Sequence, residues 1–139
     1  MGDRSNIVIQ ESKGNRIYLY GHWMGTDAIK IVADVLSQRE RWNDEPYLTR
    51  MLFAKMTEVS PKNSSTGYGI STYLCDTAYP LIVLEPATQT AVLEEYNWED
   101  STFNPITPRV SFEQLLESTS QSETYQDLAT SLGAKYATT

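Results

Sequence analysis

NIVIQESKGNRIYLYGHW, residues 6–23, decides how the chain begins to fold. Asn6 to Gln10 is a β-branched run, Arg16 to Trp23 is a second, and Lys13-Gly14-Asn15 joins them. Gly-Asn between two such runs signals a hairpin, because both residues tolerate the positive φ that tight turns need. Side chains alternate across a strand, so Ile17, Leu19 and Trp23 share one face while Tyr18, Tyr20 and His22 share the other. That assigns Trp23 to packing. His22, the only histidine in the chain, becomes the first place to look for chemistry.

Downstream, Thr26 is suited to cap a helix, with Asp27 in its first turn and Ala28, Ile29, Val32, Val35 and Leu36 as an apolar stripe. Asn43-Asp44-Glu45-Pro46 breaks the chain, and Pro46 fits the first turn of a second helix carrying Leu48, Met51, Leu52 and Met56. Residues 60–66 read as a polar loop. Strands resume over 67–74, 81–84 and 90–96, giving the order ββααβββ. The expected fold is α+β: a mainly antiparallel sheet, built from the N-terminal hairpin and a 67–96 meander, covered on one face by the helical hairpin 26–57.

Residues 97–110, with Pro105 and Pro108, read as an extended connection. Ser111-x-x-Gln114 and Ser120-x-x-Glu123 are capping-box patterns that open two short helices, with Gly133 ending the second. Phe112, Leu115 and Leu116 give the first an apolar side, and Tyr125, Leu128 and Leu132 do so for the second. The expected division is an α+β core domain over 1–96 and an acidic extension over 97–139.

At 139 residues, 40% hydrophobic and 21% charged, the chain is long enough to bury a core without staples. The single cysteine, Cys75, leaves no disulfide framework or Cys-rich zinc site and fits a reducing, cytoplasmic compartment. No apolar run signals secretion or membrane insertion. The net charge of −7 is uneven: residues 94–139 hold eight acids against Arg109 and Lys135, while the rest is close to neutral. An acidic surface repels phosphate backbones, so nucleic acid is not an expected partner.

Several chemistries lack their motifs. There is no G-x-S-x-G elbow, no phosphate loop with Gly-Lys-Ser/Thr, and no D-x-D-x-D-G or H-E-x-x-H metal pattern. A Cys75/His22 dyad is formally available, but "YLCDTAYP" carries no nucleophile signature. Thr66-Gly67-Tyr68-Gly69 lies at a strand start, where its glycines fit close packing of Trp23 or Trp42. No cofactor, metal or catalytic residue is therefore assigned. What remains is a set rich in Arg and aromatic residues: Arg4, Tyr20, His22, Arg41, Trp42, Tyr47, Arg50 and Tyr68. Guanidinium groups beside aromatic faces can stack a base or hold a phosphate or carboxylate. The same residues also suit corners, where Trp covers the core and Arg neutralises Asp3, Asp44 or Glu45.

"MGDRSNIVIQ", "IYLYGHWMG", "RERWNDEPYLTRMLF" and "TGYGISTYLCDTAYPLIVL" together resemble a family of small proteins of bacterial and bacteriophage genomes. Its pattern is Gly-Asp-Arg-x-Asn-Ile, then Tyr-x-His-Trp-x-Gly, Arg-Trp-x-Asp-x-x-Tyr-Leu-x-Arg and Thr-Gly-Tyr/Phe-Gly-Ile-Ser. The resemblance spans residues 1 to about 95 and falls on Asp3, Arg4, Asn6, His22, Trp23, Gly25, Arg41, Trp42, Asp44, Tyr47, Arg50, Gly67, Tyr68, Gly69 and Ser71. It implies a bacterial or bacteriophage setting, with the host cytoplasm as the location if the protein is phage-encoded, and no particular reaction. By analogy with short accessory phage proteins, the expected function is binding: a host protein docked, or a small anionic or nucleotide-like ligand sequestered, by a homo-oligomer. Two alternatives stand beside it. One is a small hydrolase or transferase with His22 as general base and Asp3 or Asp44 orienting it. The other is a protein inhibitor acting through the acidic tail.

Overall fold

The computed structural model describes residues 2–59 and 67–136, so the polar loop expected at 60–66 lies outside the described residues. The hairpin forms as read: β1 (Ser5–Gln10) pairs antiparallel with β2 (Arg16–Gly21), placing Ile7 opposite Leu19. Gly14 takes φ +102° in the turn, a conformation side chains disfavour. Among the described residues, four helices follow the same apolar logic: α1 (Asp27–Ser37), α2 (Glu45–Val59), α3 (Phe112–Thr119) and α4 (Tyr125–Tyr136). Thr26 stands at the N-cap of α1 as expected, but its backbone is already helical and its side chain makes no capping bond. Asp44 does cap α2, its carboxylate accepting from Tyr47 N at 3.2 Å.

The sheet is mixed. Its order is β3 (Tyr68–Ser71), β2, β1, β4 (Leu81–Glu85), β5 (Thr90–Asn97), β6 (Thr102–Pro105), and β7 (Val110–Ser111) also pairs with β5. Among the described strands only β1 and β4 run parallel, with Ile7 beside Ile82, and the other pairings are antiparallel. The fold is thus α+β with a mainly antiparallel sheet, but the expected 67–96 meander is corrected: β3 lies beside β2, and β1 and β2 separate it from β4.

Residues 72–80 make that crossing over the face opposite the helices. Leu74 rests on the small cluster of Val8, Tyr18, Leu81, Val83 and Val92, which Phe103 also covers. Asp76 anchors the segment, its carbonyl accepting from Asn6 Nδ2 at 2.7 Å and its carboxylate lying 2.8 Å from Arg4 Nε. The main core occupies the other face, where Ile7, Ile9, Leu19, Ile82, Leu84 and Leu93 meet all four helices. Burial on both faces explains why β1 reads as an unbroken apolar run.

The C-terminal segment belongs to this construction. The connection expected at 97–110 contains β6 and β7, and a boundary at 96 would cut β5. Ser111 and Gln114 form the expected capping box of α3. The second box is corrected: α4 begins at Tyr125, with Thr124 Oγ1 accepting from Asp127 N at 3.0 Å, and it runs through Gly133 to Tyr136. Phe112, Leu115, Tyr125, Leu128 and Leu132 are all buried in the main core.

Candidate functional site

β2 ends at Gly21, so the alternation that placed Trp23 in packing stops before reaching it. The following turn sends Met24 into the core, while Trp23 is 54% exposed and meets the His22 ring edge-on at 4.7 Å. Trp23 as a packing residue is therefore corrected in part. It does cover Gly67, where a Cβ would lie 3.4 Å from its ring, whereas Gly69 has open space.

His22 sits in a fixed corner. Its N–H donates to Gly67 O at 2.7 Å, its carbonyl accepts from Asp3 N at 2.7 Å, and Nδ1 shares a 2.9 Å hydrogen bond with the Tyr20 hydroxyl. Gly2 lies against the imidazole so closely that a Cβ there would be 2.5 Å from Nε2. Arg4 and Tyr20 flank this corner. Burial, and then the negative charge of Asp76, raise the Tyr20 phenol above its ordinary pKa.

Neither carboxylate considered for orienting His22 does so. Asp3 accepts from the Tyr79 hydroxyl and fills the space beside Gly25, while Asp44 caps α2. The Cys75 thiol is placed 3.6 Å from Ser71 Oγ.

The remaining residues read from the sequence lie elsewhere. The turn between α1 and α2 is near the β-hairpin end, where Ser12 N donates to Glu45 at 2.8 Å. There the Arg41 and Arg50 guanidinium groups lie 4.8 and 5.1 Å from the Tyr47 ring centroid. The 11 residues of α1 separate this group from the His22 corner by roughly 16 Å at 1.5 Å per residue. Trp42 is a packing residue, donating to Leu36 O at 3.0 Å and meeting Phe112 edge-on. Tyr68 likewise packs against Phe53 and the main core.

A concavity lies at the His22 end of the sheet, but two strands further along. The β4–β5 ladder stops at Leu81 opposite Glu94, and beyond that pair the chains diverge. They enclose a cleft of about 530 Å³, with Thr77 to Pro80 as one wall and Glu95 to Glu99 with Asn104 as the other. Tyr96 packs nearly perpendicular to Trp98, centroids 4.6 Å apart, and is backed by Phe103 at 4.7 Å. Trp98 is 55% exposed. Among the described residues neither Glu95 nor Glu99 forms an ion pair.

Tyr79 links cleft and corner. Its ring stacks on Tyr125 at 5.0 Å, its hydroxyl donates to Asp3, and that bond foremost raises the phenol's pKa. Tyr125 is held in turn, its hydroxyl donating to Gly25 O at 2.9 Å. One wall of the cleft is therefore braced by the N-terminal residues and α4 together. Sequence reading missed these residues; the available signal was Tyr96-x-Trp98, two positions apart, among Glu94, Glu95, Glu99 and Asp100.

Among the described residues there is no cluster of His, Cys, Asp or Glu able to hold a metal ion, and no helix is long and apolar enough to cross a membrane. No family model, curated protein or solved structure matches the chain.

Proposed function

We propose that the protein is a non-enzymatic binding protein that docks a partner protein at the sheet-end cleft, as an accessory factor of the bacterial or phage kind acting in the host cytoplasm. The observation that carries this reading is the cleft itself. Its volume of about 530 Å³ is that of a ligand site, and one wall is braced through Tyr79. Exposed aromatic rings with a polar surround are the composition of a protein docking surface.

A small anionic ligand fits this place poorly, because Glu95 and Glu99 line it. The arginines that would hold such an anion are spent or distant: Arg4 faces Asp76, while Arg41 and Arg50 surround Tyr47 at the opposite end. Catalysis by His22 lacks its orienting carboxylate, since Asp3 and Asp44 are engaged by other groups.

The test is site-specific photo-crosslinking in bacterial cells producing the full chain, with a benzophenone amino acid in place of Asn104 on the cleft wall. A discrete adduct that disappears in the Trp98→Ala background is the expected result. Adducts equally strong from a probe at Arg50, or unchanged by Trp98→Ala, would count against this site.

A further inference from the structure

We infer that the cleft captures an extended, cationic peptide segment, taking a Lys or Arg side chain against Trp98 and beside the carboxylate of Glu99. This rests on the cleft being the docking site and specifies what enters it.

The charge sets the ligand class. Glu95 and Glu99, neither in an ion pair among the described residues, both line the cavity, and Asp100 follows them in sequence. Trp98, whose exposed ring packs edge-on against Tyr96, also lines that space, and aromatic faces attract an ammonium or guanidinium group through their quadrupoles. A neutral ligand would use the rings and leave the acids idle.

The backbone sets the ligand's shape. Leu93 turns both its backbone groups toward the β6 and β7 edge: its N–H donates to Thr107 Oγ1 at 3.0 Å and its carbonyl accepts from Ile106 N at 2.9 Å. Backbone groups alternate along a strand, so the N–H and carbonyl of Tyr96 point the other way, toward the cleft. The facing wall leaves them free. Ala78 N donates to Arg4 O and Tyr79 N to Thr77 Oγ1, and no bond from 77–80 reaches Tyr96. β5 thus runs past the end of its β4 ladder with a donor and an acceptor open to an added strand. Main-chain pairing there would hold a peptide in register, and the acids and rings would select its cation.

The experiment is a fluorescence-anisotropy titration of the full-length protein with fluorescein-tagged Thr-Arg-Thr-Lys-Thr. A twin peptide carries citrulline and acetyl-lysine at the two cationic positions, and a second twin is N-methylated along its backbone. Expected are saturable binding of the first peptide and affinities lower by about tenfold for both twins. Trp98→Ala and Glu99→Gln should each weaken binding by about three- to tenfold, with thermal unfolding unchanged because both side chains are exposed.

Equal binding of the neutral twin overturns the cationic class. Equal binding of the N-methylated twin, or displacement by free arginine at the peptide's own concentration, overturns the added strand. An Asn104 crosslink lost in Trp98→Ala, together with no binding of the cationic peptide, would overturn this inference while leaving the docking site standing. Absence of both adduct and peptide binding would overturn the two together.

Discussion

Replacing Phe112 by Ala should cost the whole molecule a large part of its stability margin, although Phe112 lies beyond the 1–96 segment that carries most of the sequence patterning. Phe112 is completely buried, meets Trp42 edge-on at 5.5 Å, and its N–H donates to Gln89 O at 2.9 Å. Its ring fills space among side chains of the main cluster, which also draws on α1 and α2. Truncating a core Phe to Ala costs about 3–5 kcal/mol through lost burial and the cavity left behind. A folded domain has only about 5–15 kcal/mol in total. With an unfolding entropy near 0.3 kcal/mol/K for this length, the melting temperature should fall by roughly 10–17 °C. Calorimetry and urea unfolding followed by circular dichroism would measure it. Ile106→Ala, at a residue 38% exposed, is the control and should cost less than about 1 kcal/mol. A Phe112→Ala protein melting within a degree or two of the native one would refute the reasoning and make 97–139 a separable appendage. The expected result also bears on the acidic-tail alternative. Deleting 97–139 removes Phe112, Leu115, Leu128 and Leu132 from the core, so loss of function on deletion would not identify the tail as an effector. Neutralising Glu95 and Glu99 in the intact chain is the cleaner comparison.

Other perturbations follow from the same contacts. Tyr18, Tyr20 and Tyr125 are raised in pKa chiefly by burial, and Tyr79 by its bond to Asp3, so the unfolded chain releases these protons first as pH rises through about 10. Stability should be fully present below that pH and fall above it; Tyr125→Phe should flatten this alkaline loss and cost about 1–2 kcal/mol at neutral pH by leaving Gly25 O without its donor. Arg16 and Glu94 are joined by two bonds of 2.8 and 2.9 Å on the face covered by Phe103. Burial opposes the Arg16 charge, and Glu94 more than offsets it, leaving the guanidinium above its ordinary pKa. Arg16→Met alone should cost roughly 2–3 kcal/mol in urea unfolding, less than a fully buried pair because water still reaches both side chains, and adding Glu94→Leu should recover most of it. Gly25→Ala forces a side chain into φ +51° and onto the Asp3 carboxylate, so it should lower stability by about 1–2 kcal/mol or more, whereas Gly69→Ala should be nearly silent in thermal melts.

The elements legible in the sequence are those fixed by neighbouring residues. The β1–β2 turn, the stripe of α1, Pro46 at the start of α2 and the Ser111 capping box each depend on side chains a few positions apart. The parallel pairing of β1 with β4 depends on residues about 75 positions apart, and no local pattern marks it. Once that crossing is made, Leu74 covers the second face and Tyr79 packs against the main core and Tyr125, tasks their own sequence surroundings do not announce. Trp23 departs from the expected alternation for a simpler reason. Period-two alternation holds only while the strand continues, and β2 stops two residues earlier. The eight Arg and aromatic candidates separate into a corner, a distant helix turn and two packing positions, because residue type shows what a side chain can do and topology decides what it does it with.

The most direct test of the cleft as the binding site is a two-dimensional ¹H–¹⁵N spectrum of the protein titrated with Thr-Arg-Thr-Lys-Thr. The expected shifts concentrate at Tyr96 to Glu99, Thr77 to Tyr79 and the Trp98 indole, with the Tyr96 amide gaining a hydrogen bond. Shifts gathered instead around Arg41, Tyr47 and Arg50, with the Tyr96 amide unmoved, would contradict it.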